Sequence, residues 1–171
     1  NENYTGDLPF YSGIVNGILN NCGIGTISTS GECSPIVGHY FPGFFYLMAL
    51  SFISGAGVKG LVILISTFGF FSSLFLAFSI KKYTNNVNLA KSTFILISLS
   101  PLTLGWTRLI LMEPLTTNIG ICLISLSIQI FYEGFNKKNF LILLVLQIFS
   151  IYIKPTSILF SIPILILAIN K

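Results

Sequence analysis

Charged residues are scarce in this chain, and a few of them stand where they could do chemistry. The 171 residues include nine Lys or Arg and five Asp or Glu, so that 8% of the chain is charged. The stretch GWTRLILMEP places Arg108 and Glu113 between two long apolar runs. Guanidinium and ammonium groups bind phosphate oxygens, and a carboxylate can take a proton or orient a cation. These two residues therefore indicate a polar site in a largely apolar protein.

Three further candidates are Asp7, His39 and Lys154, and each also has a structural explanation. Asp is a common turn residue, which explains Asp7 without a catalytic role. A lysine or arginine at a helix end can place its charged group among the lipid headgroups. For Lys154 and Arg108, a ligand-binding role and a headgroup-facing role both stay open. A salt bridge explains Glu113 only across a turn, because residues five apart on one helix, such as Arg108 and Glu113, do not face each other.

Composition places the chain among integral membrane proteins. Hydrophobic residues make up 53% of it and the mean hydropathy is +0.86. After Lys59, the run up to Ile80 contains no charged residue, and such a helix at about 1.5 Å per residue crosses a bilayer core. The basic residues are dispersed among loops, which excludes a nucleic-acid-binding patch. The sequence has no spaced set of metal ligands, no phosphate-binding glycine loop and no Ser/His/Asp signature.

The apolar runs predict an all-α, polytopic helical membrane protein. We expect residues 1–56 to form an external loop with juxtamembrane helices, and residues 57–171 to form a bundle that is a fragment of a longer transmembrane domain, with an upstream span missing. In the first region, apolar residues at helical spacing from Phe10 to Leu19 predict a surface helix, and the short run His39 to Gly55 predicts a juxtamembrane segment. Five spans are predicted: Val58 to Ile80, Thr93 to Trp106, Leu115 to Tyr132, Phe140 to Ile153 and Thr156 to Ile169.

The lysine distribution predicts the orientation of these spans. With the loops KKYTNNVNLAK and EGFNKKN in the cytoplasm, six of the nine basic residues lie inside, as the positive-inside rule requires. Asp7, His39, Arg108, Glu113 and Lys154 then share the external side. Cys22 and Cys33 lie 11 residues apart in a polar segment; they are either free thiols or a disulfide, and a disulfide would place that segment outside the cytoplasm.

The order of four segments resembles the N-terminal half of the GT-C type integral-membrane glycosyltransferases. These segments are GDLPFYSGIVNGIL, GHYFPGFFYLMALSFISG, WTRLILMEPL and YIKPTSILF. Within that group, these segments most resemble those of the dolichyl-phosphate-mannose protein mannosyltransferases and the bacterial lipid A aminoarabinose transferases. It departs from them in having one acidic residue in the first loop, where many relatives have a pair, and Phe41 in place of a second proline.

The resemblance implies a function and a set of roles. The enzyme would move a sugar from a polyprenyl-phosphate carrier to a hydroxyl acceptor on a lipid, glycan or protein at the external face. Asp7 would be the general base. The remaining roles are donor-phosphate binding for Arg108, Lys154 and His39, and acceptor binding or orientation for Glu113, Tyr11 and Tyr40. The lipid-linked sugar is the donor and membrane lipid is the partner; no metal ligand is assigned, and dependence on a divalent metal is left open. The expected location is a bacterial plasma membrane with the active face toward the periplasm or exterior.

Two alternatives stand beside this expectation. One is a non-enzymatic membrane protein, such as a lipid flippase or a transporter subunit. A transporter favours repeated halves and charges near mid-membrane, whereas here the sequence has no internal repeat and the unusual charges lie at span ends. The other is an inactive fragment of a glycosyltransferase.

Overall fold

The chain folds into a mostly helical structure. A computed structural model describes residues 8–27, 30–35, 42–100, 112–134 and 136–161. The helices are α1 (Leu8–Leu19), α2 (Gly43–Ile53), α3 (Gly57–Thr84), α4 (Val87–Ser98), α5 (Met112–Glu133) and α6 (Lys137–Ile153), followed by a 3-10 helix, Pro155–Ser161. Two short strands, β1 (Gly25–Ile27) and β2 (Cys33–Pro35), pair antiparallel between α1 and α2.

Helix α1 confirms the helix predicted from its apolar spacing, and its location at a membrane surface stays a prediction. Its buried face presents Tyr11, Ile14 and Val15, and the ring of Tyr11 meets Phe44 and Phe45 of α2 edge-on at centroid distances of 5.8 and 5.5 Å. Edge-to-face contacts of this kind add to the stabilisation that burial alone provides. Helices α1 and α2 are therefore fixed to each other by one aromatic cluster.

The β1–β2 hairpin departs from the all-α prediction. Its strands have three residues each, and a disulfide joins Cys22, which precedes β1, to Cys33, the first residue of β2. The hairpin lies against α1 so closely that a Cβ added to Gly17 would be 1.8 Å from the carbonyl oxygen of Gly25. A disulfide and a close backbone approach, rather than apolar periodicity, hold this element.

Helices α3 and α5 form the centre of the bundle and run parallel. Near their starts, Asn118 Nδ2 donates to the carbonyl oxygen of Ile65 at 3.1 Å; near their ends, Gln129 Nε2 donates to Ser79 Oγ at 3.2 Å. Helix α4 returns along α3 after a two-residue turn, and α6 returns along α5 after another short turn. The bundle therefore has two ends, each made from several helix termini.

Two helices, α3 and α5, are long and apolar enough to cross a membrane. The described residues do not confirm the five predicted spans, since α4 and α6 have 12 and 17 residues and about 20 are needed to cross. Residues 162–169 of the fifth predicted span lie outside the described residues.

Two of the predicted spans also have wrong boundaries. Helix α4 begins at Val87 instead of Thr93 and ends at Ser98 instead of Trp106. It begins early because Asn86 caps it, accepting a hydrogen bond from the amide of Leu89 at 2.9 Å. After Lys154 the chain forms a 3-10 helix up to Ser161, where an α-helical span from Thr156 was predicted. The proline breaks the ladder of hydrogen bonds and the next turn closes more tightly.

Candidate functional site

The break between α6 and the 3-10 helix is the point at which two of the seven predicted site residues meet, Glu113 and Lys154. Lys154 follows the last residue of α6 in an extended conformation, with φ −147° and ψ 118°. This is the conformation that a residue before proline favours, so Pro155 sets the backbone from which the lysine side chain projects. The predicted break of the helix at Lys154 and Pro155 is confirmed.

At this break Lys154 forms an ion pair with Glu113. Its Nζ lies 2.5 Å from Glu113 Oε1, and the two side chains are 31% and 45% exposed. Glu113 is in the first turn of α5, where a carboxylate is favoured by the helix dipole. The pair is formed because α5 and α6 are antiparallel, so that the start of one lies beside the end of the other. Two residues assigned separate roles in the sequence thus form one unit.

The start of α2 packs directly on the residues before Lys154. A Cβ on Gly43 would lie 2.7 Å from Tyr152 Cδ1 and 2.8 Å from the carbonyl oxygen of Tyr152. Only glycine permits this approach, because a backbone oxygen cannot rotate away. Helix α2 therefore supports the end of α6 and brings the α1–α2 aromatic cluster to the same end of the bundle. We call this end, with Glu113, Lys154 and the start of α2, the Lys154 end.

Buried polar groups hold the break from inside. Gln147 Nε2 donates to the carbonyl oxygen of Ser157 at 3.1 Å and so bridges α6 and the 3-10 helix. Among the described residues, Gln147 Oε1 and the hydroxyl oxygens of Ser150 and Ser157 are buried without a hydrogen-bond partner. Unpaired buried polar atoms are costly, and they make this break more polar inside than the rest of α6.

The predicted site residues have different outcomes. Glu113 and Lys154 are brought together. Tyr11 lies on α1 at 5% exposure, packed in the aromatic cluster, and its site role stays a prediction. The other four lie outside the described residues: Asp7, His39, Tyr40 and Arg108.

Reasoning from the sequence missed the partner of Glu113 and the support from Gly43. The alternative considered for Glu113 was Arg108, since both stand in one short stretch. The signal that could have found the true partner is the antiparallel order of the two spans, which predicts that the start of one lies near the end of the next.

Within the described ranges, no group of three or more His, Cys, Asp or Glu side chains is placed to hold a metal ion.

Compared with known proteins, the chain matches no family model, no curated protein and no solved structure at a significant level.

Proposed function

We propose that the protein is a GT-C type membrane glycosyltransferase that moves a sugar from a polyprenyl-phosphate carrier to a hydroxyl acceptor. The observation that carries the proposal is the Lys154–Glu113 pair at a proline-broken helix end. It supplies an ammonium group beside an orienting carboxylate, at the end of a bundle whose long helices suit a lipid environment.

A membrane location is supported by the outward faces of the helices. Large apolar side chains more than half exposed occur on α3, α4 and α6, among them Ile63, Phe71, Ile95, Leu96, Val145 and Ile148. Soluble monomers rarely expose contiguous apolar surface on this scale, whereas lipid tails cover it at no cost. We infer that α3 and α5 cross the bilayer and that α4 and α6 complete the bundle within it.

The orientation is supported by the different chemistry of the two ends. The Lys154 end carries the disulfide-closed hairpin, and disulfides persist outside the cytoplasm. The opposite end carries Lys81, Lys82, Lys91, Lys137 and Lys138, which the positive-inside rule assigns to the cytoplasm. The Lys154 end then faces the periplasm or exterior, where a polyprenyl-phosphate sugar is presented.

The proposed reaction uses these groups in one displacement. The acceptor hydroxyl oxygen attacks the anomeric carbon, the bond from that carbon to the phosphate oxygen breaks, and the lipid phosphate leaves with the electron pair. The hydroxyl proton passes to Asp7, and the anomeric carbon inverts. Lys154 and Arg108 stabilise the charge of the leaving phosphate. Lys154 is already paired with Glu113. An incoming phosphate therefore either displaces the Glu113 carboxylate from the Lys154 ammonium group or binds that group beside it.

The proposal is tested with the full chain purified in a neutral detergent. Binding of a polyprenyl monophosphate is compared with binding of the corresponding polyprenol, which lacks the phosphate. We expect the unaltered chain to bind the phosphate form more tightly than the polyprenol. Lys154→Gln should reduce the ratio of these two affinities about tenfold. The matched control is Lys59→Gln, which removes one charge from the exposed first turn of α3.

Transfer itself is measured with a radiolabelled polyprenyl-phosphate sugar in liposomes, with a membrane extract as the acceptor. Asp7→Asn should abolish transfer and leave phosphate binding intact. Unchanged turnover in this variant would remove Asp7 from the mechanism. Equal binding of polyprenol and polyprenyl phosphate would contradict the role of Lys154 and favour a non-enzymatic membrane protein.

A further inference from the structure

The end of the bundle opposite Lys154 carries a positive charge that the proposed sugar transfer does not use. It is formed by Lys81, Lys82, Lys91, Lys137 and Lys138, all of them exposed. They come from the end of α3, the second turn of α4 and the first turn of α6, which the parallel packing of α3 and α5 brings to one side. We call this surface the lysine end.

Little negative charge balances the lysine end. Of the three acidic residues that the structure describes, Glu32 is in the hairpin and Glu113 pairs with Lys154, which leaves Glu133. Glu133 forms an ion pair with Lys82 and also accepts a hydrogen bond from the hydroxyl of Tyr83 at 2.6 Å. Its carboxylate thus joins the ends of α3 and α5. The other four lysines have no acidic partner in the part of the chain that is described.

The helix directions increase this excess. Both α4 and α6 begin at the lysine end, and neither has an acidic residue in its first turn. The first turn of α6 instead holds Lys137 and Lys138, where the helix dipole disfavours cations and favours an anion. A bound anion would therefore stabilise an arrangement that is unfavourable without it.

Aromatic side chains adjoin the lysines. Tyr83 and Tyr132 stack at a centroid distance of 4.9 Å, and Phe131 and Tyr132 are 58% and 55% exposed. Tyrosine and phenylalanine rings at this position suit the boundary between acyl chains and headgroups. A ligand that used both the lysines and these rings would combine a phosphate with hydrocarbon.

We propose that the lysine end binds the headgroups of anionic phospholipids, with the phosphates on Lys91, Lys137 and Lys138 and the acyl chains against the exposed aromatic rings. The inference rests on the membrane location in the proposed function and not on sugar transfer. Free inorganic phosphate shares the charge chemistry but has no hydrocarbon to place on Phe131 and Tyr132. The exposed rings beside the lysines are the reason to assign the site to a lipid.

The test is native mass spectrometry of the full chain in a neutral detergent, titrated with phosphatidylglycerol or with phosphatidylcholine of the same acyl chains. The charge-removing variant is Lys137→Gln with Lys138→Gln. The matched control, Lys137→Arg with Lys138→Arg, changes the same positions and keeps the charge. Both pairs leave the cap of α6 in place, because Asn136 Oδ1 accepts from the backbone amide of Lys138 at 2.9 Å.

We expect the unaltered chain to prefer phosphatidylglycerol, the Gln pair to bind it about tenfold more weakly or worse, and the Arg pair to stay within about twofold. Equal affinity for the two lipids, or full affinity in the Gln pair, would overturn the proposal. Displacement of phosphatidylglycerol by millimolar inorganic phosphate would reassign the site to a free phosphate ligand. A chain that transfers no sugar but shows the expected lipid preference would leave this inference standing.

Discussion

At the scale of single residues, the proposed binding of an anion at the Lys154 end depends on Glu113 and Lys154. Lys154 Nζ lies 2.5 Å from Glu113 Oε1, and both side chains are partly exposed, so a phosphate can reach the pair from solvent. Exposed pairs of this kind stabilise a fold by about 1 kcal/mol or less. The role that we propose for the pair is therefore ligand binding rather than stabilisation of the fold.

The two members of this pair should have opposite effects on anion binding. Lys154→Gln removes the cation and weakens binding of a polyprenyl monophosphate, while Glu113→Gln removes the competing carboxylate and tightens it by up to about fivefold. Equilibrium binding in detergent measures both, and the double variant should bind like Lys154→Gln alone. Equal weakening in the two single variants would mean that Glu113 is needed to hold Lys154 in place.

At the scale of elements, close contacts at Gly17 and Gly69 set how the hairpin packs on α1 and how α3 packs on α5. In α1, Gly17→Ala should separate the hairpin from the helix, because the new Cβ would be 1.8 Å from a backbone oxygen of Gly25. The expected cost is about 1–3 kcal/mol. Gly13→Ala is the control on the same helix, since its Cβ would meet Thr26 Cγ2 at an ordinary 3.5 Å.

Hydrogen exchange of the α1 amides measures this difference. Exchange should speed up in Gly17→Ala and stay unchanged or slow in Gly13→Ala, because alanine favours a helix by up to about 1 kcal/mol over glycine. Equal exchange in the two variants would show that α1 and the hairpin are not in close contact.

The α3–α5 contact has its own test. A Cβ on Gly69 would lie 2.9 Å from Asn118 Nδ2, the group that donates to the carbonyl oxygen of Ile65. Gly69→Val should displace this amide and lower the free energy of unfolding by about 1–3 kcal/mol. Thr67→Val is the control, since it places the same side chain at an exposed position of α3. Unfolding in a titration with sodium dodecyl sulfate gives both values, and similar midpoints would argue against the parallel contact.

The sequence predicted the elements that depend on local signals. The apolar spacing of α1 was sufficient to predict that helix, and the proline after Lys154 was sufficient to predict the break after α6. The hairpin was missed because its three-residue strands have no usable periodicity and depend on a disulfide and on Gly17. The Glu113–Lys154 pair was missed because its members are 41 residues apart and only the packing of α5 on α6 joins them.

At the scale of the whole molecule, the bundle has two ends of different chemistry. One end carries the Lys154–Glu113 pair, the aromatic cluster and the disulfide-closed hairpin; the other carries five exposed lysines. The lysine loops were predicted to share one side, and the contact of Lys82 with Glu133 joins them at one end of the structure. The proposed function requires that these ends face opposite sides of a membrane.

The most direct test of this claim is labelling with a membrane-impermeant maleimide in intact spheroplasts. All three native cysteines are replaced by serine, and single cysteines are placed at Ser54, in the turn before α3, or at Asn88, in the first turn of α4; both positions are exposed. We expect labelling at position 54 in intact spheroplasts, and labelling at position 88 only after the membrane is permeabilised. Labelling at position 88 with protection at position 54 would place the Lys154 end in the cytoplasm and contradict the proposed site of sugar transfer.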